Sequence, residues 1–137
     1  MKPSAILESA LYVDDLVEAE RFYAQVLGLD ILSRAEDRHV FFRCGNGVLL
    51  LFNPSATEIP PGPGAKFPVP PHGSRGPGHL CFSASAEEIE LWKTRLEAQG
   101  VAVEADFHWP QGGRSIYFRD PSGNSLEFAE PRIWGYS

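Results

Sequence analysis

The spacing of hydrophobic and polar positions follows the same sequence of periods in the two halves of the chain. An alternating, strand-like run is followed by apolar residues at helical spacing, then by a glycine, Gly28 or Gly100, and then by three short alternating runs. This pattern predicts the order β, α, β, β, β in each half. The predicted elements are strands 5–13, 30–33, 39–43 and 48–52 with helix 16–27, and strands 79–85, 101–107, 114–119 and 125–129 with helix 87–99.

The connections between these elements carry turn and linker signals. Asp14 and Asp15 predict a turn and a helix N-cap, and 44–47 and 120–124 predict turns between the last two strands of each half. Prolines and glycines interleave through 53–78, a composition that argues against a ladder strand or a helix. This segment is either a flap over a cleft or an ordered, inert connector.

The repeated pattern predicts an α+β protein of two tandem βαβββ modules. The modules cover 5–54 and 79–131, and a Pro/Gly-rich linker at 55–78 joins them within a single domain, 1–137. We expect a curved mixed sheet that forms a cup around a small-molecule site.

Three polar residues fall on the side of the predicted sheets that faces away from the helices. Glu8 and His79 occupy equivalent places in the first strands, and Glu127 occupies the place in the last strand that Leu50 has in the first half. Each alone has a structural explanation, such as a strand edge or a backbone hydrogen bond. Together, one imidazole and two carboxylates would balance a divalent Fe, Mn, Ni, Zn or Co ion and leave positions for water and substrate.

Candidate substrate contacts lie in and after the segment that precedes strand 114–119. Arg114 could hold a carboxylate or phosphonate, Trp109 could stack on a ring, and Tyr117 or His108 could move a proton. The structural alternatives are a tryptophan that plugs a loop and an arginine in solvent. Leu50 predicts an apolar wall.

Composition narrows the class of partners. A net charge of -6 would repel phosphate backbones, so we expect no nucleic-acid partner. Glu8 and Asp14 precede any apolar run that could act as a signal or anchor, so we expect no membrane partner. Cys44 and Cys81 lie in strand-like runs, which predicts buried, unpaired thiols and a reducing, cytoplasmic location.

The sequence resembles the glyoxalase, bleomycin-resistance and extradiol-dioxygenase group, also called the vicinal oxygen chelate superfamily. The resemblance covers almost the whole chain. It is carried by the runs ALYVDDLVEAERFYAQVLGL, GPGHLCFSA and YFRDPSGNSLEFAEP.

This resemblance implies a divalent-metal-dependent lyase, isomerase or dioxygenase with Glu8, His79 and Glu127 as ligands. Glyoxalase I carries a carboxylate where this chain has Leu50, which disfavours that activity, and many members carry His at the place of Glu8, which weakens a dioxygenase assignment. The alternatives are a metal-free protein that binds an antibiotic or another planar ligand, and a scaffold for dimer contacts. Similar proteins commonly form homodimers, sometimes with a site shared between chains.

Overall fold

The computed structural model describes residues 1–137 and divides into two compact units. Unit 1 spans Met1–Gly76 and unit 2 spans Pro77–Ser137, so the division falls inside the predicted linker. Each unit contains a four-stranded mixed sheet whose first and last strands are parallel neighbours. The predicted α+β fold of two βαβββ modules is confirmed, while the assignment of 1–137 to a single domain stays a prediction.

Unit 1 has the element order expected from the first half of the sequence. Its strands are β1 (Glu8–Tyr12), β2 (Asp30–Ala35), β3 (His39–Cys44) and β4 (Gly47–Phe52), and its helices are α1 (Leu16–Arg21) and α2 (Pro54–Thr57). The sheet order is β1-β4-β3-β2, so β1 and β2 form its edges.

The first helix begins at the predicted cap but has two parts. The Asp15 side chain accepts two backbone N–H bonds from the first turn, which satisfies donors that have no partner within the helix. After α1, the residues Phe22–Val26 form a π-helix, in which the backbone N–H of Leu27 bonds to the carbonyl of Phe22 at 3.2 Å. Apolar spacing alone does not separate this wider turn from an α-helix.

The short helix α2 corrects the expectation that 53–78 contains no helix. Pro54 occupies the first helical turn, where its missing N–H has no intrahelical partner to lose. The Asn53 side chain caps the helix by accepting from the N–H of Ser55 at 3.0 Å. A proline at this position therefore starts a helix rather than excluding one.

Unit 2 repeats the pattern with a longer helix. Its strands are β5 (His79–Ser83), β6 (Ala105–His108), β7 (Arg114–Arg119) and β8 (Ser125–Ala129), its helix is α3 (Ala86–Ala98), and a 3-10 helix spans Pro131–Trp134. Ser85 and Glu88 form a capping box at the start of α3. The strand predicted at 101–107 begins only at Ala105 and is therefore shorter than expected. The order of the sheet is β5-β8-β7-β6.

The pairing registers of the two sheets can be compared position by position. Leu50 lies between Ala10 and Phe41 in unit 1, and Glu127 lies between Cys81 and Tyr117 in unit 2. The same registers make Glu8 equivalent to His79, and His39 equivalent to Ser115. The predicted equivalence of Leu50 and Glu127 is thus confirmed by backbone pairing.

The cysteine prediction is correct about pairing and wrong about burial. Cys44 and Cys81 are both free thiols, but Cys44 is half-buried and Cys81 is exposed. Cys81 shares its strand face with His79 and not with the core residue Phe82, which explains its exposure.

None of the helices combines the length and the apolar character needed to cross a lipid bilayer.

Candidate metal centre

His79 and Glu127 meet on the sheet of unit 2, on the face opposite α3. Strand β5 is parallel to β8, and His79 Nε2 lies 3.3 Å from Glu127 Oε1. The imidazole is 52 % exposed, whereas the carboxylate is only 7 % exposed. The pair therefore combines a buried anion with a ring that solvent can reach.

The backbone of β8 fixes the orientation of the His79 ring. Nδ1 lies 2.9 Å from the carbonyl oxygen of Ser125, and a carbonyl can only accept, so Nδ1 carries the hydrogen. In the neutral ring, Nε2 then presents a lone pair toward Glu127. Two electron-rich atoms at this distance need a cation between them or a proton on Nε2.

The other carboxylate oxygen of Glu127 is held from the neighbouring strand. Ser115, which has no exposed surface, donates its hydroxyl hydrogen to Glu127 Oε2 at 2.6 Å. The indole Nε1–H of Trp109 donates in turn to Ser115 Oγ at 2.9 Å. Trp109, Ser115, Glu127 and His79 thus form one connected polar chain.

Two further side chains face Glu127 directly across the sheet. Tyr117 pairs with Glu127 on β7, and its ring stacks near His79 with centroids 6.3 Å apart. Burial and then the charge of Glu127 raise the pKa of the Tyr117 hydroxyl. Although Cys81 as a residue is exposed, the surrounding protein desolvates its sulfur, and this desolvation followed by the same carboxylate raises the pKa of Cys81 to about 12, so both groups keep their protons at neutral pH.

The spacing of the pair fits two neighbouring ligands of one metal ion. Metal–nitrogen and metal–oxygen bonds of about 2.0–2.2 Å place adjacent ligand atoms roughly 2.9–3.4 Å apart in octahedral or tetrahedral geometry. The bond from Nδ1 of His79 to a backbone carbonyl is the outer contact that metal-bound imidazoles usually make. The donor chemistry of His79 and Glu127 therefore suits a divalent ion.

The pair is not joined by a third ligand within the chain. No group of three or more His, Cys, Asp and Glu side chains is arranged to hold a metal ion. Glu8, the third predicted ligand, lies exposed on β1 of unit 1. Its role as a ligand stays a prediction.

Arg114 and His108 lie on the opposite side of the sheet from Glu127. They pair with each other across β6 and β7, one residue out of phase with Ser115. Each nitrogen of the Arg114 guanidinium donates to a carboxylate of the chain, either Asp106 or Glu90. Strand alternation and these ion pairs give Arg114 a structural role in place of the expected substrate contact, and they argue against His108 as a catalytic group.

The equivalent face of unit 1 is aromatic. Leu50 is half-buried there, and the His39 ring stacks on Phe41 with centroids 3.8 Å apart. The Tyr12 hydroxyl lies 2.6 Å from His72 Nδ1, which ties the Pro/Gly-rich segment to β1. A cleft of about 550 Å³ in unit 1 is lined by twelve residues, five of them acidic and one of them His39, and none of the predicted ligands is among them.

Ser115 and Cys81 lie at this centre although neither is among the predicted site residues. Both residues could have been found from strand alternation, because Ser115 shares its face with Tyr117, and Cys81 shares its face with His79. A serine or a cysteine inside a strand carries no other signal.

Comparisons with known proteins identify the family of this chain. The model of the "Glyoxalase/Bleomycin resistance protein/Dioxygenase superfamily" matches residues 5–128. Glutathione transferase FosA from Serratia marcescens is 31% identical over 120 residues, which cover 85% of this chain and 74% of that protein. Metallothiol transferase FosB from Bacillus licheniformis is 32% identical over 120 residues, covering 84% of this chain and 68% of that protein.

A solved structure is similar over the full length. The crystal structure of lactoylglutathione lyase from Agrobacterium tumefaciens has a TM-score of 0.93 and 46% sequence identity, and the match covers 99% of this chain and 100% of that chain.

Proposed function

The chain belongs to the glyoxalase/bleomycin resistance protein/dioxygenase superfamily, and from this premise we propose that it is a divalent-metal-dependent enzyme of the vicinal oxygen chelate type. Its substrate would be a small organic molecule that offers two adjacent oxygens. FosB, a relative, is a metallothiol transferase by name, which supports the metal dependence.

The observation that carries this proposal is the geometry of His79 and Glu127. Their facing atoms lie 3.3 Å apart, and the Ser125 carbonyl leaves Nε2 of His79 free for a ligand. Glu127 is buried, and the Ser115 hydroxyl bonds to only one of its oxygens, so the negative charge near the other oxygen remains costly to bury. A divalent ion bound to both atoms would offset that cost.

Glu8 would complete the ligand set. It is equivalent to His79 in the register of the first strands, and a carboxylate at this place gives two negative charges against one divalent ion. We propose that the protein is a homodimer and that Glu8 comes from the same chain or from a second copy. Light scattering tests the dimer, and a monomer that binds metal tightly would show that one chain supplies the whole site.

The remaining groups around the pair would serve the substrate. A bound divalent metal supplies Lewis-acid stabilisation of negative charge that develops on a substrate oxygen. The Tyr117 hydroxyl, opposite Glu127, would donate a hydrogen bond to the substrate, and the half-exposed ring of Trp109 would contact its flat surface. Leu50 would contribute an apolar wall.

Leu50 argues against a lactoylglutathione lyase activity, despite the similar structure from Agrobacterium tumefaciens. It occupies the place of Glu127 in the other sheet, and a leucine can neither bind metal nor accept a proton. We expect no formation or cleavage of lactoylglutathione by the metal-loaded protein. Turnover at a rate typical of enzymes, about 1–1000 per second, would overturn this exclusion.

Elemental analysis of protein purified without chelators tests the metal. We expect about one Fe, Mn, Ni, Zn or Co per site, and we expect combined His79→Ala and Glu127→Ala substitutions to remove it. Wild-type protein that holds no metal after exposure to these ions, or metal retained by the double variant, would sink the proposal.

A metal-free binding protein is the second candidate. The aromatic face of unit 1, with His39 stacked on Phe41, favours a planar ligand, and a protonated His79 would pair with Glu127 without a metal. Ligand affinity that is unchanged by EDTA would support this candidate.

A further inference from the structure

We infer that Ser115 and Trp109 are positioning residues of the proposed metal centre, because their hydrogen bonds hold Glu127 with a single carboxylate oxygen directed at His79. The inference rests on the proposed function. It assigns a role to two side chains that would not themselves bind the metal.

The direction of each hydrogen bond follows from the donors. The indole Nε1–H of Trp109 can only donate, and it lies 2.9 Å from Ser115 Oγ. Ser115 accepts this bond with a lone pair, so its own hydrogen remains for Glu127 Oε2 at 2.6 Å. The order is therefore fixed as Trp109 to Ser115 to Glu127.

This order leaves the two oxygens of Glu127 with different partners. Oε2 accepts from Ser115, and Oε1 faces His79 Nε2 at 3.3 Å. The side chains of Tyr117 and Cys81 also hydrogen-bond to this carboxylate. A carboxylate without such a bond can rotate and present either oxygen or both. Fixing the rotation before the metal binds removes an entropic cost, and outer contacts of this kind typically change metal affinity by about 10–100-fold.

The equivalent position in unit 1 shows that the fold does not need a hydroxyl there. His39 replaces Ser115 in the register, and Leu50 replaces Glu127. His39 stacks on Phe41 and leaves its Nδ1 without a hydrogen-bond partner. The buried hydroxyl is therefore present in the sheet that carries the carboxylate and absent from the equivalent strand of the other sheet.

The first test measures Co²⁺ affinity of the full-length protein by titration, with the visible absorption of Co²⁺ as a second readout. We expect Ser115→Ala to weaken binding by about 10–100-fold and to change the spectrum, because the second carboxylate oxygen is released. Ser115→Thr keeps the hydroxyl, so its Co²⁺ affinity and Co²⁺ spectrum should be like those of the wild type. Ser83→Ala, an exposed serine on the same sheet face, is the matched control and should change neither.

The second test asks whether Trp109 acts on Co²⁺ affinity through Ser115 or independently of it. Trp109→Phe keeps an aromatic ring but removes the N–H, and we expect a smaller loss of Co²⁺ affinity than for Ser115→Ala. Because the two residues act in series, Trp109→Phe should cause no further loss in the Ser115→Ala background. Losses that simply add would overturn the inference, as would Ser115→Ala protein that is folded and binds Co²⁺ like the wild type.

A third measurement needs no metal and distinguishes the inference from the proposed function. We expect the indole hydrogen of Trp109 to exchange with solvent more slowly than that of exposed Trp134, and to lose this protection in Ser115→Ala protein. Equal exchange in wild type and variant overturns the positioning chain, whatever the metal result. Wild-type protein that shows the protection but binds no metal overturns the proposed function instead.

Discussion

The two sheets have the same strand order and register but opposite chemistry on the equivalent face. In unit 2 this face carries a buried carboxylate held by Ser115 and approached by His79. In unit 1 the equivalent strands carry Leu50 and a stacked pair, His39 and Phe41. The same backbone thus supports a polar centre in one unit and an aromatic surface in the other.

This difference shows which neighbouring side chains determine whether a sheet face can hold a carboxylate. Glu127 is tolerated because the Ser115 hydroxyl reaches it from the next strand. Leu50, in contrast, has Ala10 and Phe41 as strand-pair neighbours and the imidazole of His39 in the place of Ser115. The chemistry of each sheet is therefore set by pairs of residues across strands. Exchanges between the two units provide the sharpest tests.

The largest effect is expected when the unit 2 face is given the side chain of unit 1. Glu127→Leu should abolish stoichiometric metal binding, because it removes one ligand and leaves the Ser115 hydroxyl without its acceptor. Leu50→Ala, the matched change in unit 1, should leave the metal content unchanged. Equal metal content in wild type and Glu127→Leu, measured by elemental analysis, would break the comparison.

A smaller effect is expected from a glycine that only unit 2 requires. Gly113 has φ +95, and a Cβ there would lie 2.5 Å from Ile133 Cγ2. Gly113→Ala should lower the free energy of unfolding by about 2–4 kcal/mol, from backbone strain and overpacking together.

Gly76 is the control for this change, because it has the same φ of +95 but open space around it. Gly76→Ala should cost only the backbone strain, about 1 kcal/mol. Chemical denaturation measures both values, and equal losses would show that the contact with Ile133 contributes nothing.

The reverse exchange puts a carboxylate on the unit 1 face. Leu50→Glu should lower the free energy of unfolding by about 1–3 kcal/mol at neutral pH, because the half-buried carboxylate loses hydration and its strand-pair neighbours, Ala10 and Phe41, offer no donor. Leu50→Gln has a similar size without the charge and should cost less. A Leu50→Glu protein as stable as the wild type would show that this face accommodates charge as readily as unit 2.

The smallest effect concerns acid stability. Hydrogen bonds from Arg114, together with the nearby Lys93, hold the pKa of Asp106 well below its ordinary value of 3.8. A depressed pKa stabilises the fold fully above the unfolded value, and this contribution is lost as pH falls below about 3.8 toward the folded value. The stability difference between wild type and Asp106→Asn should therefore shrink in acid.

Unit 1 offers a more exposed ion pair for comparison. Glu58 and Arg75 have side chains that are 47% and 58% exposed, so solvent screens their interaction. Glu58→Gln should change acid stability less than Asp106→Asn in unfolding curves recorded from about pH 6 to about pH 2. A larger change for Glu58→Gln would contradict this order.

The fold could be predicted from the sequence because local signals and the global repeat agree. Gly28 and Gly100 end equivalent helices with positive φ, and the alternating runs after them form strands in the expected order. The π-helical turn at Phe22–Val26 could not be predicted, since its apolar spacing also suits an α-helix. The short helix at Pro54 was missed because a proline excludes a helix only in the interior.

The site could be predicted only in part. His79 and Glu127 were found from equivalent positions in the two modules, and the structure brings their side chains within 3.3 Å. The position of Arg114 was misjudged, although its odd spacing from Tyr117 already placed it on the other face. The bond from Ser115 to Glu127 depends on side-chain direction across two strands, which a sequence pattern does not encode.

The close approach of Gly113 to Ile133 has a consequence for how the turn before β7 can be re-engineered. The turn that carries Trp109 and the 3-10 helix after β8 share this contact, so neither segment can be grafted from another protein without the other. A library that varies the turn should keep glycine at position 113, because a Cβ there would lie 2.5 Å from Ile133 Cγ2. The turn and the 3-10 helix are best exchanged together as one unit.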